Sequence, residues 1–231
     1  MSAADSYYKI KEHVNLVARN CGRNPKEITL IAVSKKISLI DMQSAYDAGC
    51  RYFGENQVQE SLIKILEAPS DIYWHLIGTL QKNKVKKVIG KFEMIHSVDN
   101  FALAEKISEC SLQEGINTKI LLQVNTSGEQ SKHGLSEKEW MSLFSSLMKL
   151  PNISIEGLMT IAPNTDNRDC IRDCFKKLRC FRDELNTKVE ASRKLFHLSM
   201  GMTNDYPIAI EEGATLLRIG SAIFGERQYK K

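Results

Sequence analysis

A lysine stands at the end of the first long apolar run of this chain, where an amine could react with a carbonyl compound. The run from Ile28 to Val33 is apolar and β-branched, and Ser34, Lys35 and Lys36 follow it. Such a run predicts a buried strand, and a partly desolvated lysine amine can attack a carbonyl group. The competing interpretation is that the two lysines are solvated charges that open a loop, and this segment alone favours that interpretation.

Two turns of small residues near the C-terminal end of the chain could hold a phosphate group. Gly201 and Thr203 follow one apolar run, and Gly220 and Ser221 follow the next. Glycine lets a phosphate approach the backbone, while hydroxyl groups and the free N–H groups of a helix N-terminus donate to it. Together with Lys35, these turns predict an aldehyde that carries a phosphate, and pyridoxal 5′-phosphate (PLP) is the obvious candidate.

Arg218 lies in the apolar run that precedes the second of these turns. An arginine there could face the pyridine nitrogen of PLP. Because arginine stays protonated, it would donate a hydrogen bond and keep that nitrogen unprotonated, which makes the ring a weaker electron sink than an aspartate partner does. A surface salt bridge is the competing interpretation, and the apolar neighbours Leu216 and Leu217 disfavour it.

The elements that position these residues alternate regularly along the chain. The predicted strands are Thr29–Val33, Arg51–Gly54, Tyr73–Gly78, Met94–Val98, Lys119–Asn125, Ile153–Met159, Phe196–Met200 and Thr215–Ile219. Helical patterns separate them, which is typical of a parallel β/α array. A closed (β/α)8 TIM barrel and an open doubly wound sheet both fit this alternation. We favour the barrel, because the GxGxxG turn of the open sheet is absent after the first strand.

The helices carry recognisable start signals. Ser38 precedes a predicted helix over Asp41–Ala48, and Ser136 with Glu139 forms a capping-box pattern. We expect one domain, an α/β protein of residues 1–231 whose first 22 residues form an additional outer helix.

Composition excludes several classes of protein. Hydrophobic residues make up 42% of the 231 residues and charged residues 26%, as in ordinary globular proteins. No run approaches the length of a membrane span, and the polar N-terminal segment lacks a signal core, so we expect a cytoplasmic protein. The six cysteines show no CxxC pair and the histidines no metal-ligand spacing, which predicts reduced thiols and no metal. We expect a monomer, because no long exposed apolar stretch stands out.

A cluster of lysines offers a competing function. The cluster follows the third predicted strand, and we expect it to lie on one helix. It comprises Lys82, Lys84, Lys86, Lys87 and Lys91. Such a run is usually a solvated helix face, and without aromatic stacking residues it does not predict nucleic-acid binding. It could instead dock a PLP-dependent client or a PLP-synthesising enzyme.

At these residues the chain resembles the pyridoxal phosphate homeostasis proteins, a PLP-binding family related to the N-terminal barrel of alanine racemase. The shared stretches are AVSK (32–35), FGENQVQE (53–60), WHLIGTLQKNK (74–84), VNTSGEQSKHG (124–134), GLMTIAP (157–163), SMGMTND (199–205) and RIGSAIFGER (218–227). The resemblance implies Lys35 as the Schiff-base lysine and Arg218 at the pyridine nitrogen. It implies Thr203, Gly220 and Ser221 around the phosphate, and it also places Asn56 and His75 near the cofactor.

Two positions depart from the family pattern. Lys36 stands where the family commonly has threonine, and Thr203 stands where serine is more usual. Strand alternation points neighbouring side chains to opposite faces, so only one of Lys35 and Lys36 should enter the barrel mouth. The motif selects Lys35, and the hydroxyl of Thr203 preserves the expected phosphate contact.

The resemblance favours a PLP carrier or regulator that acts in PLP and amino-acid homeostasis without catalytic residues. Racemases of the alanine racemase type need a second base from outside the barrel, and we expect these 231 residues to be used by the barrel and its outer helix. An arginine at the ring nitrogen also disfavours a stabilised carbanion. A PLP-dependent amino-acid racemase is the alternative.

Overall fold

The computed structural model describes residues 2–129 and 132–225, in which strands and helices alternate. The strands are β1 (Thr29–Val33), β2 (Tyr52–Glu55), β3 (Tyr73–Leu76), β4 (Met94–Val98), β5 (Thr118–Gln123), β6 (Ile153–Met159), β7 (His197–Ser199) and β8 (Leu216–Ile219). The α-helices are α1 (Ala3–Asn20), α2 (Leu39–Asp47), α3 (Val58–Glu67), α4 (Val85–Val88), α5 (Phe101–Gln113), α6 (Glu137–Leu147), α7 (Arg168–Asn186), α8 (Tyr206–Glu211) and α9 (Ser221–Phe224).

The eight strands form one closed parallel barrel in chain order from β1 to β8. Every neighbouring pair is parallel, and β1 also pairs with β8. The predicted (β/α)8 barrel is therefore confirmed, and the doubly wound open sheet is excluded because such a sheet leaves two unpaired edges.

Helix starts follow from side chains that satisfy free backbone N–H groups. The Ser38 hydroxyl accepts from the backbone N–H of Asp41 at the start of α2. Ser136 and Glu139 form the expected capping box at α6. A second capping box joins Ser2 and Asp5 at the start of α1.

The additional N-terminal helix is α1, which packs outside the barrel against α2, α8 and α9. Its face buries Tyr7, Val14 and Ala18, with Ile10 partly buried beside them. The Tyr206 hydroxyl of α8 lies 2.6 Å from Nδ1 of His13, which adds a polar contact to this apolar seam. Burial of one apolar stripe explains why this segment is helical.

Apolar side chains fill two separate regions. The large region lies between the strands and the surrounding helices, and its largest fully buried members include Trp140, Phe53 and Phe175. A second, smaller cluster is formed by one residue from each of five strands: Ile31, Met94, Leu121, Met159 and Leu216. Strand alternation assigns these five to the barrel interior, so the lumen is a packed core.

Some element boundaries differ from the sequence expectation. β3 ends at Leu76 rather than Gly78, and β5 ends at Gln123 rather than Asn125. Within the lysine cluster, Lys82 and Lys84 lie on a 3₁₀ turn, Lys86 and Lys87 lie on the single turn of α4, and Lys91 lies in the turn that follows, so the cluster does not share one helix. Gln130, Ser131, Glu226 and Arg227 of the quoted motifs lie outside the described residues.

The six cysteines are free thiols, but they do not all pack alike. Cys174 is buried in α7 whereas Cys170, one turn earlier, is exposed. The exposed thiol of Cys170 therefore contributes no core packing. Within the described residues, none of the helices combines the length and hydrophobicity that a membrane crossing requires.

The contact between β6 and β7 leads to the first prediction. A Cβ atom on Gly157 would lie 1.9 Å from the carbonyl oxygen of His197. Replacing Gly157 with Ala should therefore lower the free energy of unfolding by about 3 kcal/mol or more, since β7 would have to move. Gly115→Ala, where nothing lies within 4 Å but φ is +65°, should cost only about 1 kcal/mol. Denaturant unfolding of both variants measures the difference, and equal losses would contradict it.

Candidate functional site

Lys35 lies in a tight turn immediately after β1. The turn runs from Ser34 to Ile37, and the backbone N–H of Ile37 donates to the Ser34 carbonyl at 2.9 Å. Lys35 is half-buried, while Lys36 is exposed and has a φ of +60°. A negative φ followed by a positive one is the pattern of a type II turn, whose third residue is usually glycine. This left-handed residue, rather than strand alternation, makes the exposure of the two lysines differ, because β1 has already ended at Val33.

A buried ionic cluster lies behind this turn. The cluster comprises Ser34, Glu55, Glu60 and Lys64. Glu55 accepts from the Ser34 hydroxyl at 2.6 Å and from the Lys64 ammonium at 2.8 Å. Burial raises the pKa of Glu55, and the hydrogen bonds from Lys64 and Ser34 oppose that rise. Glu60 and Lys64 were not predicted as a pair from the sequence, although their i,i+4 spacing is typical of an ion pair on a helix.

Asn56 follows β2 beside Gly78, which follows β3. A Cβ atom on Gly78 would lie 2.3 Å from the Asn56 carbonyl oxygen, so only glycine permits this approach. The side-chain Oδ1 of Asn56 is buried and has no hydrogen-bond partner among the described residues. A buried acceptor without a partner costs free energy. Asn56 therefore has hydrogen-bonding capacity that a bound group could use.

Arg218 of β8 places a guanidinium inside the barrel. It is 5% exposed, and it donates to the Ser199 hydroxyl at 2.6 Å and to the Thr160 carbonyl at 2.9 Å. No carboxylate of the described residues forms an ion pair with it. Burial lowers its pKa to about 10, so the group remains a cation at neutral pH. A buried cation of this kind favours a hydrogen-bond acceptor or an anion beside it.

Two histidines extend the hydrogen bonding of Arg218 deeper into the barrel. Nδ1 of His96 lies 2.8 Å from the Ser199 hydroxyl, and Nε2 of His96 lies 2.8 Å from Nδ1 of His75. Burial lowers the pKa of His75 to about 3 and that of His96 well below its ordinary value. Both rings are therefore neutral. His75 is 2% exposed and lies in the lumen rather than at the open mouth.

The donors along this chain can be assigned in order. Because Ser199 accepts from Arg218, its own O–H is available to donate to Nδ1 of His96. His96 then carries its proton on Nε2 and donates to His75, whose proton lies on Nε2. That Nε2 atom is buried without a partner among the described residues. The reverse order would leave the Ser199 hydroxyl without an acceptor, so we assign the first.

The two turns after β7 and β8 meet. The Ser221 hydroxyl donates to Oγ1 of Thr203 at 3.1 Å, and the backbone N–H of Ala222 lies 3.4 Å from the same atom. Asp205, another residue without an assigned role in the sequence analysis, accepts from the backbone N–H of Met202 at 2.5 Å. Burial raises the pKa of this carboxyl, which the hydrogen bond from Met202 opposes. Asp205 therefore holds the Thr203 turn in place.

Gly220 joins these turns to β1. A Cβ atom on Gly220 would lie 3.4 Å from Cβ of Val33, two residues before Lys35. The residues singled out by sequence thus come from five consecutive strands of the closed barrel, β7, β8, β1, β2 and β3. The positions concerned are Thr203, Arg218, Gly220, Ser221, Lys35, Asn56 and His75. The part of the chain that the structure describes contains no group of three or more metal-ligating side chains.

Comparison with known proteins identifies relatives over nearly the whole chain. The family model of the alanine racemase N-terminal domain matches residues 7–228. The pyridoxal phosphate homeostasis protein of Aquifex aeolicus (strain VF5) is 39% identical over 99% of this chain and 100% of its own length.

Solved structures give a similar result. PipY of Synechococcus elongatus PCC7942, solved with PLP bound, superimposes with a TM-score of 0.80 at 37% identity, over 92% of this chain and 99% of PipY. An alanine racemase of Clostridium difficile 630 superimposes with a TM-score of 0.74 at 15% identity, over 95% of this chain and 57% of the racemase. At that identity the racemase shares the fold alone.

The neutral histidine pair leads to a prediction about pH. In the folded state burial lowers the pKa of His75 from 6.5 to about 3, so between these values the unfolded chain binds a proton that the folded chain does not. Stability is therefore lost as the pH falls below 6.5. The wild-type protein should lose free energy of unfolding between pH 7 and pH 5, and His75→Gln should make that loss smaller by about 2 kcal/mol.

Urea unfolding of the wild type and of His75→Gln at a series of pH values measures this contribution. The ring nitrogen shifts of His75 should also stay constant over the same range. Titration of that ring near pH 6.5 would contradict the assignment.

Proposed function

Because the chain belongs to the alanine racemase N-terminal domain family, and within it to the pyridoxal phosphate homeostasis proteins, we propose that it binds PLP as a Schiff base on Lys35. The observation that carries the proposal is the convergence of three groups at adjacent strand ends. Lys35 follows β1, Arg218 lies in β8, and the Thr203–Ser221 pair joins the turns after β7 and β8. When bound, PLP supplies a carbonyl carbon that a lysine amine can attack.

Arg218 suits the pyridine nitrogen of the cofactor. Its guanidinium is buried and fixed by Ser199 and Thr160, and Asp205 attracts it without forming an ion pair among the described residues. A neutral pyridine nitrogen is an acceptor that this cation can donate to without any proton transfer. The ring would then stay unprotonated and would stabilise a carbanion poorly.

The paired turns suit the phosphate. Gly220 lacks the side chain that would fill the space beside Val33, and the hydroxyls of Thr203 and Ser221 lie together. A phosphate there would also meet backbone N–H groups at the start of α9. Asn56 and His75 are proposed to complete the surroundings of the cofactor, the first through its buried Oδ1 and the second from within the lumen.

We propose a carrier or regulator rather than an enzyme. The curated relatives are named for PLP homeostasis, not for a reaction, and Arg218 disfavours racemase chemistry. We propose that the protein acts in the cytoplasm, that it is a monomer, and that residues 1–231 form one domain. Partners would be PLP-dependent clients or PLP-synthesising enzymes, and four of the five lysines in the cluster after β3 are exposed for such docking.

Replacement of Lys35 tests the proposed attachment. Lys35→Ala should abolish the visible absorbance band of a PLP Schiff base, because the reacting amine is lost. Lys36→Ala should keep the band, since Lys36 is exposed whereas Lys35 is half-buried. Titration of both variants with PLP, followed by borohydride reduction and peptide mass mapping, measures the outcome. If the band survived in Lys35→Ala and disappeared in Lys36→Ala, the assignment of Lys35 as the attachment site would be wrong.

Proton exchange tests the carrier against the racemase. The PLP-loaded protein should not exchange the α-proton of L-alanine or L-serine in deuterated water faster than free PLP does. An alanine racemase under the same conditions is the positive control. Exchange at enzymatic rates would overturn the carrier proposal and leave the assignment of Lys35 intact.

A further inference from the structure

We propose that Lys64, acting with Glu55 and Glu60, is a positioning residue that holds the Lys35 amine in its reactive orientation. The inference rests on the proposed function of Lys35, and it concerns residues that act through the backbone on both sides of Lys35. The observations that carry it are the contacts of the buried ionic cluster with the residues on both sides of Lys35.

The Lys64 ammonium uses all three of its hydrogens within the cluster. It donates to the Ser34 carbonyl at 2.7 Å, to Oε1 of Glu55 at 2.8 Å and to Oε1 of Glu60 at 2.8 Å. The residue is only 7% exposed although its helix, α3, lies on the outside of the barrel. Its side chain therefore joins α3 to the ends of β1 and β2.

The cluster holds the residue before Lys35 by two groups. The Ser34 carbonyl accepts from Lys64, and the Ser34 hydroxyl donates to Glu55 at 2.6 Å. Ser34 is fully buried, so these bonds are not exchanged with water. The position and direction of the peptide that leads into Lys35 are thus determined by side chains from β2 and α3.

The cluster also holds the residue after Lys35. The backbone N–H of Lys36 donates to Oε1 of Glu60 at 2.6 Å. Lys36 has a φ of +60°, which an L-residue with a side chain adopts only at a cost. The bond from Glu60 offsets that cost, and it keeps the turn in the conformation that separates Lys35 from Lys36.

Stability alone does not explain this cluster. Two carboxylates and one ammonium lose hydration when they are buried, and apolar residues of similar size often replace such groups without loss of stability. One carboxylate oxygen of Glu55 is even buried without a partner among the described residues. Fixing the backbone on both sides of a reactive lysine does explain the arrangement, because small displacements of a reacting group reduce rates steeply.

The test separates attachment of PLP from binding of PLP. Schiff-base formation is followed by absorbance after mixing with PLP, and the adduct on Lys35 is measured by mass spectrometry after borohydride reduction. Binding without attachment is measured by calorimetry with pyridoxine 5′-phosphate, which has the ring and phosphate but no aldehyde. Thermal melting reports the fold of each variant.

Lys64→Met should slow attachment by about 100-fold and leave affinity for pyridoxine 5′-phosphate within about twofold of wild type. Glu60 is less buried than Lys64, so Glu60→Ala should stay folded while it also slows attachment and leaves affinity for pyridoxine 5′-phosphate unchanged. Glu60→Gln should restore attachment, because its amide oxygen can still accept from the backbone N–H of Lys36. Lys106→Met, which removes only the exposed ion pair with Glu109, is the matched control and should behave as wild type.

Three results would overturn the proposal. Attachment at wild-type rates in the folded Lys64 and Glu60→Ala variants would show that the cluster does not position Lys35. A parallel fall in affinity for pyridoxine 5′-phosphate would show that the cluster supports the whole pocket instead. Failure of the wild-type protein to bind either compound would reject the proposed function itself, and this inference with it.

Discussion

The pairing of β1 with β8 joins the first strand of the barrel to the last, with four residues of each strand in register from Thr29 opposite Leu216 to Ala32 opposite Ile219. Without those hydrogen bonds, the turn that carries Lys35 and the turns that carry Thr203 and Ser221 would lie at opposite edges of an open sheet. Closure makes them neighbours. The proposed site therefore depends on pairing between residues almost 190 positions apart in the chain, since Ile31 is opposite Arg218.

The barrel interior changes in character along its axis. One layer is apolar and includes Ile31, Leu121 and Met159. Beside it lies a chain of polar groups that runs from Arg218 through Ser199 and the two histidines. In a low-dielectric interior such groups must bond to one another, and each bond orients the next. The chain therefore fixes Arg218 rigidly while it leaves the guanidinium charged, a combination that suits a site for a polar ring.

Much of this organisation was predictable from local sequence. Three predicted strands match the structure in full, and they are apolar or alternating runs with clear ends. They are Thr29–Val33, Met94–Val98 and Ile153–Met159. Helix starts at Ser38 and Ser136 were confirmed because capping is a local interaction. Predictions were wrong where the ends of strands depend on neighbours. Gly78 was assigned to a strand, but β3 ends at Leu76 and Gly78 lies against the backbone of Asn56, a residue 22 positions earlier.

The amino-acid sequence by itself determined the alternation of strands and helices, the caps of α2 and α6 and the position of Lys35 after the first strand. These properties depend on residues within a few positions of one another. Only the tertiary structure decided that Lys64 turns inward to reach Ser34, 30 residues away, and that His96 meets Ser199, 103 residues away. The type of a residue sets which bonds it can make, but closure of the barrel decides which partners are near enough to make them.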